Sequence, residues 1–295
     1  MYQLAECPVC NNSNYENVLT AIDHTLTKES FEIQRCKTCD LMFTSPRPEN
    51  DLLGKYYESK DYTSHTIKNQ GLVDMVYRTA RTFTLQWKYR LVTKETTKQW
   101  LSIMDYGCGT GEFLNYCQEK GHHVQGIEPN HQAGEIARAK GLNVESKISN
   151  NNNPAFDTIT LWHVLEHIPD LNEVLTQLHQ MLDSKGKVFI AVPNRESADA
   201  KHYQDNWAAY DVPRHLWHFS KNNIQMLFEK HGFILDDIIP MKLDAYYVSL
   251  LSEKYKRGST TLVTMVKAFY QGAISNYQAK ENTNYSSLIY KLSKK

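Results

Sequence analysis

The stretch from Leu101 to Asn130, LSIMDYGCGTGEFLNYCQEKGHHVQGIEPN, constrains this chain more than any other. A short apolar strand, Leu101 to Met104, leads through Asp105 into three alternating glycines, Gly107, Gly109 and Gly111, with Cys108 between the first two. A helical segment carrying Phe113, Leu114 and Cys117 follows, then a second strand that ends at Ile127 and is closed by Glu128. Glycine supplies positive φ and removes the Cβ that would hold a ligand off the backbone. The turn opens on a helix N-terminus, whose unpaired N–H groups and dipole attract a carboxylate or phosphate. Glu128, 17 residues past the last glycine, is placed to accept hydrogen bonds from both hydroxyls of a ribose. The pattern fits a ligand that is a nucleoside at one end and anionic or zwitterionic at the other. Dinucleotide sites space their glycines as Gly-x-Gly-x-x-Gly. Here the third glycine comes one position early, which disfavours a nicotinamide oxidoreductase.

Composition sets outer bounds. A chain of 295 residues can hold one sizeable α/β domain and a small appendage. Lys+Arg and Asp+Glu both number 33, so the chain lacks the global positive field of nucleic-acid binders. Mean hydropathy is −0.55 and no apolar run approaches about 18 residues, so no transmembrane segment is expected. The opening residues, MYQLAECPVCNNSN, contain no apolar signal core, and a cytoplasmic, reducing location is expected. The six cysteines then read as metal ligands or core thiols.

Four of them form two knuckles, Cys7-Pro-Val-Cys10 and Cys36-Lys-Thr-Cys39. Two Cys-x2-Cys pairs complete a tetrahedral zinc site with no open position, so the expected metal is structural Zn2+. Alternation at Phe31, Ile33 and Arg35 marks a hairpin strand leading into the second knuckle. About 50 residues with so few apolar side chains need a metal to supply folding energy. A redox reading of the pairs would need a thioredoxin-like βαβ context that is missing here. Residues 1–50 hold seven acids and four bases, so this module lacks the basic face that phosphate binding requires.

The run Asp105-Tyr-Gly107-Cys108-Gly109-Thr-Gly111 with Glu128 closely resembles the first motifs of class I S-adenosylmethionine-dependent methyltransferases. The resemblance extends over roughly residues 100 to 235. It implies an α/β, Rossmann-like, seven-stranded sheet with helices on both faces, with S-adenosyl-L-methionine held by Asp105, Gly107, Cys108, Gly109, Gly111 and Glu128. The strand and loop Phe156 to Pro169 resemble the fourth motif, in which Trp162, His163 and Val164 would line the cofactor and acceptor cavity. An acid after the third strand often holds the adenine in this family. Lys147, Ile148, Ser149 and Asn150 stand there instead.

The remaining segments fit that frame. Residues 71–95 carry Leu72, Val76, Ala80, Phe83, Trp87 and Leu91 at helical spacing, with a basic face read as solvated. Tyr56, Tyr57 and Tyr62 crowd the segment after Pro48, where they pad a join or offer a phenol to the cavity. Residues 150–153 read as a surface loop, and His167 as a cap for a helix near Asp170. Residues 195–222 hold an aromatic-rich segment whose most distinctive part is Asp211-Val-Pro-Arg214-His215. Such density should pack over something, and it reads as an acceptor lid. Residues 241–280 read as an insertion with an amphipathic helix, and Ser286 to Leu292 as a closing strand. The expected domains are therefore a zinc ribbon, 1–48, and a methyltransferase domain, 49–295.

Methyl transfer from a sulfonium requires the acceptor atom to be held in line, which can contribute about 7–11 kcal/mol. A hydroxyl or carbon acid also needs a base, worth about 10² to 10⁴ in rate. His215 is the expected base and His163 the second candidate, with Tyr210 and Asp211 as neighbours to orient them. The expected acceptor is a small molecule such as a sugar, lipid or secondary metabolite, methylated at a hydroxyl, an amine or a carbon. The net charge of +6 in residues 251–295 favours an anionic one. The alternative is an RNA base methyltransferase, against which the acidic ribbon counts. A non-enzymatic cofactor-binding module is disfavoured by the intact glycine turn. Oligomeric state is left open.

Overall fold

The computed structural model describes residues 1–57, 72–148 and 155–295, and side chains of residues 72–82 lie outside the description. Tyr62, the 150–153 loop, Ser149 and Asn150 therefore fall outside the described residues, as do the side chains of Leu72, Val76 and Ala80.

The first sheet begins with β1 (Tyr15–Ile22), β2 (Ser30–Cys36) and β3 (Met42–Thr44), all antiparallel. The β1–β2 turn is wound around Asp23, whose carboxylate accepts the N–H groups of Thr25, Leu26 and Thr27. Short polar side chains stabilise turns in this way. Phe31 and Ile33 alternate inward as expected, at 4% and 0% exposure.

The main body follows as α1 (Leu72–Thr93), β4 (Ser102–Tyr106), α2 (Glu112–Glu119), β5 (His123–Ile127), α3 (His131–Ala139) and β6 (Val144–Glu145). It continues with β7 (Phe156–Trp162), α4 (Leu171–Met181), β8 (Leu182–Pro193), α5 (Ala198–Tyr203), β9 (Trp217–His218) and α6 (Lys221–Lys230). Last come β10 (Phe233–Pro240), α7 (Asp244–Arg257), α8 (Leu262–Asn282) and β11 (Ser287–Lys294). Seven strands pair in the order β10-β11-β8-β7-β4-β5-β6. β11 runs antiparallel to both neighbours, while β4, β5, β6, β7 and β8 are parallel.

A parallel sheet must be covered on both faces. Ile103 packs with Phe113, Cys117 and Val92 from α2 and α1. Met104, one residue on and pointing the other way, joins the cluster that holds Leu175, Leu178, Ile224 and Leu227 from α4 and α6. Strand order reverses between β4 and β7, and ligands of such sheets bind outside the carboxyl ends at that point. α4 is capped by Asp170 itself, which accepts the Glu173 N–H, so His167 is free of that role.

The two sheets are not independent. β9, from the aromatic-rich segment, pairs antiparallel with β3 as the fourth strand of the first sheet. The buried aromatics Tyr203, Trp207 and Tyr210 share one cluster with Ala21, Phe31, Ile33, Met42 and Val248. This segment therefore packs between the cysteine module and α7. Its anchor is Arg214, 2% exposed. The guanidinium donates twice to Asp211, at 2.7 and 2.9 Å, once to Asp23 at 2.9 Å and once to the Tyr56 carbonyl at 3.2 Å.

The 241–280 insertion forms two helices, and the second is turned inside out. Thr264, Ala268, Gln271, Gly272, Ser275 and Ala279 are its buried residues. Leu262, Val263, Val266, Phe269, Tyr270 and Tyr277 are more than half exposed. Among the described residues no helix is long and apolar enough to cross a membrane.

Removing one partner of a buried ion pair leaves the others desolvated and uncompensated. Arg214→Ala should therefore destabilise the chain by about 3–5 kcal/mol in urea unfolding. Arg214→Lys, which cannot grip a carboxylate with two nitrogens, should recover only part of that. A loss below about 1 kcal/mol for the alanine variant would show that the anchor is not structural.

Candidate functional site

β4 ends in Asp105 and Tyr106, and the chain then turns sharply through the three glycines. All three have positive φ, 72°, 55° and 77°. Gly107 and Cys108 donate their N–H groups to the Ile127 carbonyl, which ties the turn to the end of β5. A Cβ on Gly107 would lie 2.5 Å from Val164, and one on Gly111 2.3 Å from Leu142. Those two glycines are needed for packing. Gly109 differs, because a Cβ there would meet nothing within 4 Å. It faces open space, where a ligand can lie against bare backbone.

Glu128 reaches across this turn. Its carboxylate accepts the Gly109 N–H at 2.7 Å and the Asn130 N–H at 2.8 Å. Burial raises its pKa, and these two donors work against that shift. Cys108 is the one predicted residue whose side chain points away. It is buried with Leu114, Ala137, Leu142 and Val144, so only its backbone faces the turn.

Asp105 is buried and accepts the Thr160 hydroxyl at 2.6 Å. Burial pushes its pKa up to about 7. Lys88, on α1, opposes that shift. Its ammonium stands 4.4 Å from the Trp162 ring centre, and burial lowers its own pKa. Lys88 lies on the helix face expected to be solvated, yet its ammonium is buried. Nothing in its spacing marked it, since a basic residue on a helix is most often surface. The indole N–H of Trp162 is buried and has no hydrogen-bond partner among the described residues.

Past β7 the chain places His163 at φ 57°. Its Nε2 lies 3.2 Å from Asp244 and its Nδ1 3.4 Å from Glu166. Burial disfavours its charge, but the two carboxylates prevail and push its pKa up to about 9. The two carboxylates thus favour the imidazolium form of His163, which counts against it as the proton acceptor. Asp244, at the start of α7, also escaped sequence reading because it belongs to the insertion.

The aromatic-rich segment returns at His215. The His215 Nδ1–H donates to the Ala209 carbonyl at 2.8 Å, and the ring stands edge-on to His167, 4.5 Å between centres. The expected orienting neighbours are engaged elsewhere. Asp211 is held by Arg214, and Tyr210 packs edge-on against Trp207 and His218. His163 and His215 meet at Glu166, 1% exposed. Burial opposes ionisation of Glu166, but the imidazoles of His163, His215 and His167 hold its pKa lowered.

The four cysteines of the knuckles gather as expected, with all sulfurs within 4.8 Å of one another. Cys7 and Cys39 lie 3.4 Å apart, and Cys10 and Cys36 3.5 Å apart. A disulfide needs about 2.05 Å, whereas tetrahedral Zn–S bonds of about 2.3 Å separate sulfurs by roughly 3.8 Å. The donor set fits one zinc ion with all positions filled.

Strand order, switch point and glycine turn define the class I methyltransferase fold. A family model for a methyltransferase domain matches residues 77–237, more than half of the chain, and the chain belongs to that family. A ubiquinone biosynthesis O-methyltransferase from Vibrio atlanticus is 28% identical over 103 residues, covering 32% of this chain and 44% of that protein. The corresponding protein of Aeromonas salmonicida is 29% identical over 103 residues, 32% and 43% of the two chains. The match thus spans less than half the length of these curated relatives. Among solved structures, the magnesium protoporphyrin IX methyltransferase of Synechocystis PCC 6803 with bound SAH aligns with a TM-score of 0.55 at 11% identity. It covers 84% of this chain and 100% of that one, a likeness of fold.

The Asp105 pKa yields a pH test. Unfolded, this carboxyl ionises near about 3.9; folded, it holds its proton to about 7. The native chain binds the extra proton in that window, so this group's contribution to stability falls as pH rises through it. Asp105→Asn should raise the thermal midpoint relative to wild type more at pH 8 than at pH 5. An equal difference at both pH values would contradict the assignment.

Proposed function

We propose that the chain binds S-adenosyl-L-methionine at the glycine turn and transfers its methyl group to an oxygen of a small-molecule acceptor. The observation that carries this reading is Gly109, bare backbone facing open space with the Glu128 carboxylate beside it. Gly107, Gly109, Gly111 and Glu128 would hold the cofactor, with Asp105 ordering the turn through Thr160. The unpartnered Trp162 N–H and the Lys88 ammonium stand at the same edge of the sheet. Bound there, the cofactor supplies an activated methyl on a positive sulfur.

The protein's own work is alignment, exclusion of water and activation of the acceptor. His163, a cation between Asp244 and Glu166, would orient a polar or anionic group. His215 is the acceptor-activating residue. Its Nδ1–H is fixed by the Ala209 carbonyl, which leaves Nε2 with the lone pair. Oxygen as the methylated atom is supported by the O-methyltransferase relatives. The +6 charge of residues 251–295 supports an anionic acceptor. The RNA reading has no observation in its favour, since the cysteine module is net acidic. Residues 1–48 would act as a zinc ribbon whose ion is structural, Cys7, Cys10, Cys36 and Cys39 supplying four thiolates.

Two variants separate binding from chemistry. In calorimetry on zinc-loaded protein, Gly109→Ala should lose adenosylmethionine binding at least tenfold while staying folded. His215→Ala should keep wild-type cofactor affinity and lose about 10² or more in turnover. Wild-type protein that gives no heat with adenosylmethionine or its demethylated product would end this reading.

For the ribbon, purified wild-type chain should carry about one zinc per molecule. Stripping the ion with a chelator should lower the thermal midpoint, because structural zinc supplies folding free energy. Cys36→Ser protein that retains a full equivalent of zinc would refute the four-thiolate assignment.

A further inference from the structure

Glu166 presents a problem that methyl transfer alone does not explain. It is 1% exposed, and among the described residues neither carboxylate oxygen has a hydrogen-bond partner. Its nearest charge, His163 Nδ1, stands at 3.4 Å. The His163 imidazole balances this carboxylate only in part, since both oxygens still lack a hydrogen bond, and a buried carboxylate is costly until donors or a cation complete it.

The groups that converge on Glu166 are two imidazoles. One carboxylate oxygen of Glu166 and one ring nitrogen each of His167 and His215 all lie within 4.8 Å of one another. Both rings have the other edge tied down. His215 Nδ1 lies 2.8 Å from the Ala209 carbonyl, and His167 Nδ1 lies 3.0 Å from both the Arg214 carbonyl and the Tyr57 hydroxyl. A carbonyl only accepts, so a neutral His215 carries its proton on Nδ1 and its lone pair on Nε2, and the Arg214 carbonyl sets the same tautomer in a neutral His167, whose Nδ1–H the Tyr57 hydroxyl can share. Two imidazoles and a carboxylate without a hydrogen bond therefore share a small volume. Fixing each ring through its second nitrogen to a carbonyl is how proteins prepare histidine for a metal.

We propose that Glu166, His167 and His215 bind a divalent transition-metal ion, separate from the four-cysteine cluster. Two imidazoles and a carboxylate suit Zn2+, Mn2+ or Fe2+, and three protein ligands leave positions open, as in catalytic sites. The ligands come from segments some 50 residues apart, joined where the Leu216 N–H donates to the Glu166 carbonyl at 2.8 Å. The site therefore exists only when the 195–222 segment is docked. Resting on the methyl-transfer reading, the open positions would take an acceptor hydroxyl and lower its pKa. Its proton passes to solvent, and the oxygen forms the bond to the methyl carbon. The carbon–sulfur bond breaks as it does so, its electron pair staying on sulfur. His215 then activates the acceptor through the ion, and an acceptor with two adjacent oxygens fits best.

The test needs neither cofactor nor acceptor, so its failure is distinguishable from failure of the methyltransferase reading. Protein carrying one zinc in the cysteine cluster is titrated with Co2+ and followed by calorimetry and visible absorption. Wild type should bind one further equivalent, with ligand-field bands and no sulfur-to-cobalt charge transfer. Glu166→Gln and His215→Ala should each weaken that binding by more than about tenfold, with circular dichroism confirming that both are folded. His163→Gln, which removes no proposed ligand, should retain it. If wild type takes up no second equivalent, the proposal fails. It fails equally if the second equivalent shows sulfur ligation, or if its affinity is unchanged in both ligand variants.

Discussion

A single buried guanidinium holds the molecule's parts in register. Arg214 joins Asp211 in its own loop, Asp23 in the first hairpin and the carbonyl of Tyr56 in the link between modules. Arginine can do this because its planar fork offers several donors at fixed angles and keeps its charge when buried. The arrangement is costly to desolvate, so its worth lies in specificity as much as in stability. With Arg214 seated, His215 is placed one residue along the backbone, and its carbonyl accepts the Thr44 hydroxyl from the first sheet. The position of His215 is thus set by its neighbour in sequence.

The part of the chain governed by local rules was legible in the sequence. Alternating glycines, a strand before them and an acid after them specify a backbone path, because few conformations accommodate that spacing. The seven-stranded sheet was expected from the resemblance to class I methyltransferases that those glycines and that acid carry. The four cysteines were legible for a similar reason, since two knuckles of fixed spacing admit few geometries.

What stayed hidden depended on contacts distant in sequence. Nothing near Trp217 announces that it will pair with Phe43, and the aromatic segment expected to cover an acceptor supplies the fourth strand of the first sheet. Lys88 and Asp244 look like ordinary surface charges until the fold brings them against Trp162 and His163. α8 shows the limit of periodicity most plainly. The apolar repeat correctly predicted a helix, yet the helix buries its small and polar face, because Gly272 allows close approach to Tyr246. A repeat identifies the face that is uniform, and packing decides which face is covered.

The pairing of β3 with β9 also has a consequence for synthesis on the ribosome. β3 is made early, but its neighbour is not translated until the chain has grown by 174 residues beyond Thr44. At about 5–20 residues per second, that edge waits roughly 9–35 s for its partner. A buried strand left with a bare edge is prone to pair with the wrong chain. During that interval the nascent amino-terminal module is an incomplete sheet, and a shielding factor at the exit tunnel would meet it in this state.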